Sequence, residues 1–232
     1  MKRLFDLTFS GIGILLFLPF GVIIMAVLRF SGEGEIFYRQ RRVGKNGNHF
    51  GVLKFATMRK GSEQLGTVTL REDPRVLPVG RILRKTKLNE VPQLWNIFAG
   101  DMSIVGPRPL VSEAYETVPS DLLSQTRHLT PGLTGVGSII FRDEEKFVSD
   151  RPDEGLDFYR NEIMPFKAEL EVWYGANQSM WLDLKLVFLT AWIVGFSNSR
   201  LPQIMLRDLP SHPVFNPGKL VGERDEGGAG PQ

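Results

Sequence analysis

The most prominent hydrophobic pattern is an uncharged apolar run over residues 7–28. About twenty apolar residues in a helix cross the hydrocarbon core of a bilayer, so this run predicts a membrane-anchoring helix over residues 1–30. The run is too long for a signal peptide, and no A-x-A-like cleavage site follows it. Pro19 lies inside the run, where it removes a backbone hydrogen bond and predicts a bend.

Basic residues flank both ends of this run. Lys2 and Arg3 precede it and Arg29 follows it, so the positive-inside rule favours neither orientation of a simple span. This symmetry predicts that both ends face the cytoplasm, as in a re-entrant helix that bends at Pro19. An ordinary kink in a through-going helix is the alternative, and the sequence alone favours neither.

Two short β-prone runs follow, at residues 36–40 and 49–55. Between them Asn46-Gly47 supplies the positive φ angles of a tight turn, so the pattern predicts a β-hairpin. A polar segment with turn residues at 61–74 predicts a surface loop. Basic residues then recur along a predicted helix over residues 79–88.

The second half of the chain has two apolar helical patterns. Residues 155–178 mix apolar and charged positions as an amphipathic helix does, with an interruption near Pro165. Residues 184–196 are strongly apolar but short for a span, and they predict a buried or interfacial helix. The composition of residues 217–232 predicts a disordered tail. Together these patterns predict an α+β fold, in which a small, mostly helical membrane-associated domain over residues 31–216 carries interfacial helices and a short β-hairpin and follows the N-terminal membrane-anchoring helix.

Composition limits the number of domains and the kinds of metal site and partner that the chain can have. A chain of 232 residues, 42% hydrophobic, buries one sizeable core and has little room for a second full domain. It has no Cys and only three scattered His, which excludes disulfides, thiolate metal sites and a histidine cluster. The net charge is only +2, yet basic residues cluster at 39–45 and 81–87. Such clusters suit phosphates or anionic lipid headgroups, and nucleic acid is not an expected partner.

Candidate chemistry is concentrated at residues 81–109. Asn89 is a good N-cap, so a helix over residues 90–98 is predicted, with its free amides facing an anion. In the Gly-Pro-Arg-Pro segment at 106–109 both prolines fix φ, so Arg108 is displayed from a stiff backbone and can bind a phosphate bidentately. On its own this tetrapeptide fits a tight loop with a solvated arginine equally well.

The order of these segments resembles the bacterial sugar transferase family, the monotopic phosphoglycosyl transferases. The resemblance covers most of the chain and includes the basic-then-apolar N-terminus. Four further segments carry it: FYRQRRVGKNGNHFGVLKFATM (37–58), VGRILRKTKLNEVPQLWNIFAGDMSIVGPRP (79–109), LTPGLTGVGSIIFRDEE (129–145) and QSMWLDLKLVFLT (178–190).

The resemblance implies an enzyme that transfers sugar-1-phosphate from a UDP-sugar to undecaprenyl phosphate and releases UMP. This is the first membrane step of bacterial glycan synthesis, whether of exopolysaccharide, capsule or O-antigen. The resemblance also implies magnesium as the cofactor. It implies a re-entrant helix in one leaflet of the inner (cytoplasmic) membrane, with the catalytic domain, residues 31–216, facing the cytoplasm. A homodimer is left open, and so is the identity of the sugar.

The family's mechanism, as the resemblance implies it, uses an Asp-Glu pair whose Asp attacks the phosphate next to the sugar and forms a covalent phospho-sugar enzyme. This sequence has Asn89-Glu90 at that place. A neutral amide is a poor nucleophile and a weak magnesium ligand. Three alternatives follow: Glu90 takes over as the nucleophile, transfer is direct between the two substrates, or the chain is an inactive or altered relative. A non-catalytic relative that binds polyprenyl phosphate or a partner enzyme also fits Ala56, where the family usually places an arginine.

The predicted site combines catalytic and phosphate-binding residues. Glu90 and Asn89 are the predicted catalytic positions, and Glu90 is the expected magnesium ligand. Arg84, Arg108 and Lys54 are predicted to bind phosphate, because phosphoryl transfer needs positioning and charge neutralisation more than acid-base groups. For Lys54, a solvated charge at a strand edge is an equally good interpretation.

Three more residues come from the matching segments. Arg142, Asp143 and Asp183 are predicted to bind nucleotide or to support the site. For Arg142 and Asp143 a structural ion pair in a loop is the competing interpretation. Asp183 has apolar neighbours, so its charge must be paired or exposed, and an active-site arginine is its expected partner.

Overall fold

The structure is a computed structural model that describes residues 1–31, 33–62, 73–142, 155–196 and 199–212. The long N-terminal helix, α1, spans Lys2–Phe30 and contains Pro19 without ending there. In the described part of the chain it is the one helix long and apolar enough to cross a membrane, and only 11% of its most apolar stretch is buried. Its apolar side chains are therefore largely uncovered.

Both ends of α1 are attached to the rest of the molecule. Near its start, the buried Asp6 carboxylate accepts hydrogen bonds from Ser103 Oγ (3.0 Å) and from the Ile104 backbone N–H (2.9 Å). Near its end, Leu28 is buried against Phe55 and neighbouring apolar side chains. The two ends of α1 therefore contact one and the same body.

The predicted β-hairpin is confirmed. Strands β1 (Phe37–Val43) and β2 (His49–Phe55) pair antiparallel over their full length, from Phe37 opposite Phe55 to Val43 opposite His49. The turn between them places Asn46 at φ 57° and Gly47 at φ 80°. These are the positive angles that this pair of residues tolerates best.

The segment after the hairpin differs from the prediction in one respect. Helix α2 spans Pro78–Lys85, close to the predicted helix at 79–88. A 3-10 turn then covers Leu88–Glu90, and helix α3 begins only at Gln93 and ends at Ala99. Asn89 therefore does not cap a helix, and the predicted helix start at 90 is wrong.

Pro92 gives the physical reason for this difference. It has no N–H with which to bond the carbonyl of Leu88, so that carbonyl accepts the Val91 N–H (3.2 Å) and closes a tighter turn. The N–H groups of Glu90 and Val91 bond instead to carbonyls three residues back, as in a 3-10 turn. The chain between α2 and α3 is thereby a tight turn that presents Asn89 and Glu90.

A second, parallel strand pair was not predicted. Strand β3 (Ser103–Val105) pairs with β4 (Gly132–Thr134). Helices α4 (Ser112–Glu116) and α5 (Ser120–Thr126) lie between them in the chain, and α6 (Val136–Ile140) follows. The pair places the Gly-Pro-Arg-Pro segment directly after β3.

The C-terminal helices build the main core. Helix α7 (Gly155–Phe158) leads through a π-helical turn (Tyr159–Ile163) into α8 (Met164–Ala176), so the predicted interruption near Pro165 is confirmed. Helix α9 (Met180–Gly195) buries one face in that core and exposes Trp181, Leu184 and Phe188 on the other. The short helix α10 is Leu201–Met205. Most of the predicted loop at 61–74 and the whole predicted tail at 217–232 lie outside the described residues.

Candidate active site

Three separate segments meet at the carboxylate of Glu90. Lys54 Nζ, from the end of β2, lies 3.9 Å from Glu90 Oε1. Arg108 Nη2, from the loop after β3, lies 3.9 Å from the same oxygen. The Glu90 side chain is 21% exposed, so this cluster is screened from water yet still open to a ligand. The structure thus brings together Glu90, Lys54 and Arg108.

The surrounding cations keep Glu90 ionised. Burial by itself would raise the pKa of this carboxyl, because a charge is poorly solvated away from water. The positive charges of Arg108, Lys54 and Lys87, in that order of influence, outweigh burial and lower the pKa of Glu90 below its usual value. Glu90 is therefore a carboxylate at neutral pH.

More cationic side chains than carboxylates lie in this cluster, and the cations lower the pKa values of their neighbours. Burial, followed by repulsion from Arg108 and Arg42, lowers the pKa of Lys54 to about 7 even though Glu90 attracts a proton to it. Burial and then Arg108 lower the pKa of Arg42 to about 10. Positive groups crowded together at partial burial are stabilised by an added anion. The cluster is built for a ligand with negative charge.

Arg84 also belongs to this cluster. It lies near enough to Lys54 to add to the repulsion that lowers the pKa of that lysine. Arg42 and Lys87 were not predicted as site residues, although both lie in the basic tracts at 39–45 and 81–87. Position along the sequence could not show which members of those tracts face Glu90.

The backbone after β3 fixes the position of Arg108. The Gly106 N–H donates to the Thr134 carbonyl (2.9 Å), and the Gly132 N–H donates to the Pro107 carbonyl (2.8 Å). On the other side, Arg42 Nη1 donates to the Pro109 carbonyl (3.2 Å). The two prolines add their fixed φ angles. Arg108 therefore extends from a backbone segment that is held from both sides.

Gly106 is required by this close approach of backbones. A Cβ at position 106 would collide with the Thr130 carbonyl oxygen and press on the Gly132 N–H. We expect Gly106→Ala to displace Arg108 and to lower the rate of a reaction that depends on Arg108 about tenfold or more, since small misplacements of a positioning group are costly. Gly195→Ala is the matched control, because its Cβ would meet nothing within 4 Å. Equal steady-state rates for the two variants would contradict this role of Gly106.

Asn89 adjoins Glu90 and has an unused acceptor. The residue is 8% exposed, and its Oδ1 is buried without a hydrogen-bond partner among the described residues. A buried acceptor left unpaired costs about 1–3 kcal/mol, so such an atom is expected to face a ligand donor or a cation. Glu90 and Asn89 together offer two oxygen donors for a hard metal ion. Across the described ranges, no group of three His, Cys, Asp or Glu residues could hold a metal.

Two of the remaining predicted residues, Asp183 and Arg142, have described partners outside this cluster. Asp183 is paired with Lys2 (2.5 Å between Oδ2 and Nζ) and accepts a hydrogen bond from Tyr174 Oη (2.7 Å). The predicted pairing of Asp183 with an active-site arginine is therefore wrong. Arg142 Nη1 donates to the Ile193 carbonyl (2.5 Å) near the end of α9, and Asp143 lies outside the described residues.

Comparison with known proteins matches a stretch of the chain that includes Lys54, Glu90 and Arg108. A family model for bacterial sugar transferases matches residues 1–197. The exopolysaccharide production protein ExoY of Rhizobium meliloti is 37% identical over 205 residues, which cover 82% of this chain and 83% of the relative. A protein of Bacillus subtilis named uncharacterized sugar transferase EpsL is 35% identical over 193 residues, covering 82% and 85%. The undecaprenyl-phosphate galactose phosphotransferase of Salmonella typhimurium is 31% identical over 210 residues, covering 84% of this chain and 40% of that longer protein.

Proposed function

The chain belongs to the bacterial sugar transferase family, as its motifs predicted, and from this premise we propose that it transfers sugar-1-phosphate from a UDP-sugar to undecaprenyl phosphate and releases UMP. Relatives named UDP-galactose-lipid carrier transferase and undecaprenyl-phosphate galactose phosphotransferase support this reaction. The observation that carries it is the excess of buried positive charge around the Glu90 carboxylate. Both substrates supply phosphates to neutralise that charge.

In this proposal Glu90 is the nucleophile. One of its carboxylate oxygens attacks the phosphorus that carries the sugar, and the bond from that phosphorus to the oxygen shared with the uridine phosphate breaks, so UMP leaves. An oxygen of undecaprenyl phosphate then attacks the same phosphorus and releases the carboxylate of Glu90. Arg108 and Lys54 neutralise the phosphate oxygens in both steps. The lowered pKa of Glu90 supports this role, because only the ionised form attacks.

Asn89 is not a nucleophile in this proposal. Its amide cannot form the acyl phosphate that a carboxylate forms, so covalent chemistry passes to the neighbouring residue. The unpartnered Asn89 Oδ1 is available to hold the donor or its counter-ion in place. Direct transfer between the two substrates, with Glu90 acting only by its charge, is the competing mechanism, and it predicts no covalent enzyme.

Magnesium fits this set of donors only together with the substrate. Glu90 and Asn89 would hold it from the protein side. Oxygens of the UDP-sugar diphosphate would be further ligands, as is usual for this ion. When bound, magnesium supplies charge neutralisation for the phosphates and for the leaving UMP. Lys54, Arg42 and Arg108 surround the same carboxylate and disfavour a cation that arrives without a phosphate.

The apolar helix supports an attachment to one face of a membrane. Both ends of α1 contact the same body, while its middle exposes side chains such as Leu15, Leu16 and Phe20. A helix that crossed a bilayer would carry its two ends to opposite sides. We therefore propose a re-entrant anchor in the cytoplasmic leaflet of the inner membrane, with α9 at the interface. A water-soluble UDP-sugar and a lipid acceptor can then meet at Glu90.

The experiment that tests the reaction is a measurement of UMP release by the detergent-purified protein. We expect release with undecaprenyl phosphate, magnesium and one or a few members of a panel of UDP-sugars carrying glucose, galactose and their N-acetylated forms. Reactions without undecaprenyl phosphate provide the control for sustained turnover. A folded protein that binds undecaprenyl phosphate but releases no UMP with any sugar would overturn the proposal in favour of a non-catalytic relative.

A further inference from the structure

A pocket opens beside the cationic cluster. It lies between the hairpin turn, the Gly-Pro-Arg-Pro segment and helices α4, α5 and α8, and its empty volume is about 670 Å³ including the open mouth. Most of its wall is apolar, with Val43, Leu110, Leu123, Met164 and Ala168. Arg108 forms part of the same wall and also faces Glu90. A molecule in this pocket would therefore adjoin the phosphate cluster.

One buried carboxyl group in this wall has an oxygen without a hydrogen-bond partner in the described part of the chain. Glu171, on α8, is 8% exposed. The Gly137 backbone N–H donates to its carboxyl group, yet Glu171 Oε2 has no hydrogen-bond partner among the described residues. Burial raises the pKa of Glu171 to about 7, although Lys167 on the same helix acts against the rise. Arg108 and Arg127 also line the pocket, and the Tyr174 hydroxyl group, on the same helix as Glu171, interacts with the charge of Glu171.

We propose that this pocket binds the nucleobase of the sugar nucleotide and that Glu171 accepts a hydrogen bond from the N3–H of uracil. The inference rests on the proposed function, which makes a UDP-sugar the donor. A nucleoside has a flat apolar face and a polar edge, and this pocket has an apolar wall and a few polar groups. With the base beside Glu171, the attached phosphates lie toward Arg108, the side chain that the pocket shares with the catalytic cluster.

The other molecules of the reaction fit this pocket less well. The polyprenyl chain has no polar group, so it would leave Glu171 Oε2 buried and unpaired, which is costly. None of the lining residues belongs to α1 or α9, the helices that expose apolar side chains. A sugar carries several hydroxyl groups, each of which needs a partner when buried, and this mostly apolar wall offers few. The nucleobase is the part of the two substrates that matches the wall.

At a pH well above 7, where Glu171 is ionised, its carboxylate accepts only and discriminates between pyrimidines. Uracil has a hydrogen on N3 and donates to Glu171, whereas cytosine has a lone pair there and would face a second acceptor. A buried polar group that loses its partner rejects the wrong ligand strongly. Replacing Glu171 with Gln keeps the shape of the side chain but adds an NH₂ donor, which can serve the N3 of cytosine.

The test is isothermal titration calorimetry of the full-length protein with UMP, CMP and ribose 5-phosphate. We expect the wild type to bind UMP about tenfold or more tightly than CMP, and more tightly than ribose 5-phosphate. In Glu171→Gln the ratio of the UMP and CMP affinities should fall to about one or below. Glu169→Gln is the matched control, because Glu169 lies on the same helix but does not line the pocket, and it should keep the wild-type ratio. Circular dichroism checks that each variant is folded.

A second variant tests the pocket without changing its charge. Leu123→Trp narrows the pocket from α5, and we expect it to reduce UMP binding to the level of ribose 5-phosphate. An unchanged UMP to CMP ratio in Glu171→Gln, or equal wild-type affinities for UMP and ribose 5-phosphate, would overturn the inference. If the protein releases UMP but does not prefer UMP to CMP, only the proposed nucleobase pocket is refuted. If the UMP to CMP ratio depends on Glu171 but the protein releases no UMP in the activity assay, only the proposed transferase activity is refuted.

Discussion

Glu90→Gln is expected to lower UMP release by about a thousandfold or more, because the variant loses the nucleophile that forms the phospho-sugar enzyme. The amide of Gln is nearly the same size, so the contacts of the 3-10 turn remain. Binding of UMP should persist, since Arg108 and Lys54 are unchanged. The measurement is the initial rate of UMP release with the preferred UDP-sugar, compared with Glu113→Gln, an exposed carboxylate on α4.

The same assay separates the covalent from the direct mechanism. Without undecaprenyl phosphate, a covalent mechanism gives a burst of UMP that approaches one equivalent of enzyme, whereas direct transfer gives no burst. We expect the burst in the wild type and in Asn89→Asp, and its loss in Glu90→Gln. Near wild-type turnover of Glu90→Gln would show that Glu90 is not the nucleophile.

Local sequence signals predicted the local elements well. The Asn46-Gly47 turn predicted the hairpin, because only a few residues tolerate two successive positive φ angles. This turn also fixes the register in which β1 and β2 pair. Pro165 predicted the interruption of the C-terminal helix for the same kind of reason. Elements like these depend on a few neighbouring residues, so the sequence alone was sufficient.

Pro92 shows where local rules compete. An Asn followed by a carboxylate is a common start of a helix, and Pro is also tolerated in a first turn. The missing N–H of Pro92 instead kept the preceding turn in the 3-10 form. Glu90 lies beside Lys54 and Arg108, while the α-helix start predicted at 90, with its amides facing an anion, is wrong.

Contacts between distant parts of the chain were beyond prediction. Lys2 and Asp183 are separated by 181 positions, and no pattern near Asp183 indicates a lysine at the N-terminus as its partner. The pocket with Glu171 depends likewise on helices α4, α5 and α8 meeting the hairpin turn. The two basic tracts predicted a region that binds phosphate, but only the fold showed that Arg42 and Lys87 lie near Glu90.

Asp183→Leu is expected to destabilise the protein by about 3 kcal/mol, because it removes the buried carboxylate that pairs with the Lys2 ammonium and accepts a hydrogen bond from Tyr174. The Asp183 side chain is only 2% exposed, so water cannot replace it. For a domain of this size the loss corresponds to a fall of very roughly 6–12 °C in Tm. Thermal unfolding in detergent, followed by circular dichroism, measures it, with Asp208→Leu at an exposed position as the control.

The double variant Lys2→Met with Asp183→Leu identifies the cause of this loss. A buried ion pair contributes little beyond what well-packed apolar side chains would, whereas a single charge left behind is costly. Tyr174 Oη keeps a partner in both variants, since it can still donate to the Val105 carbonyl. The double variant should therefore regain most of the stability that Asp183→Leu loses. If it is no more stable than Asp183→Leu, the destabilisation comes from the repacked core and not from Lys2, and this pair does not hold the start of α1 against the catalytic domain.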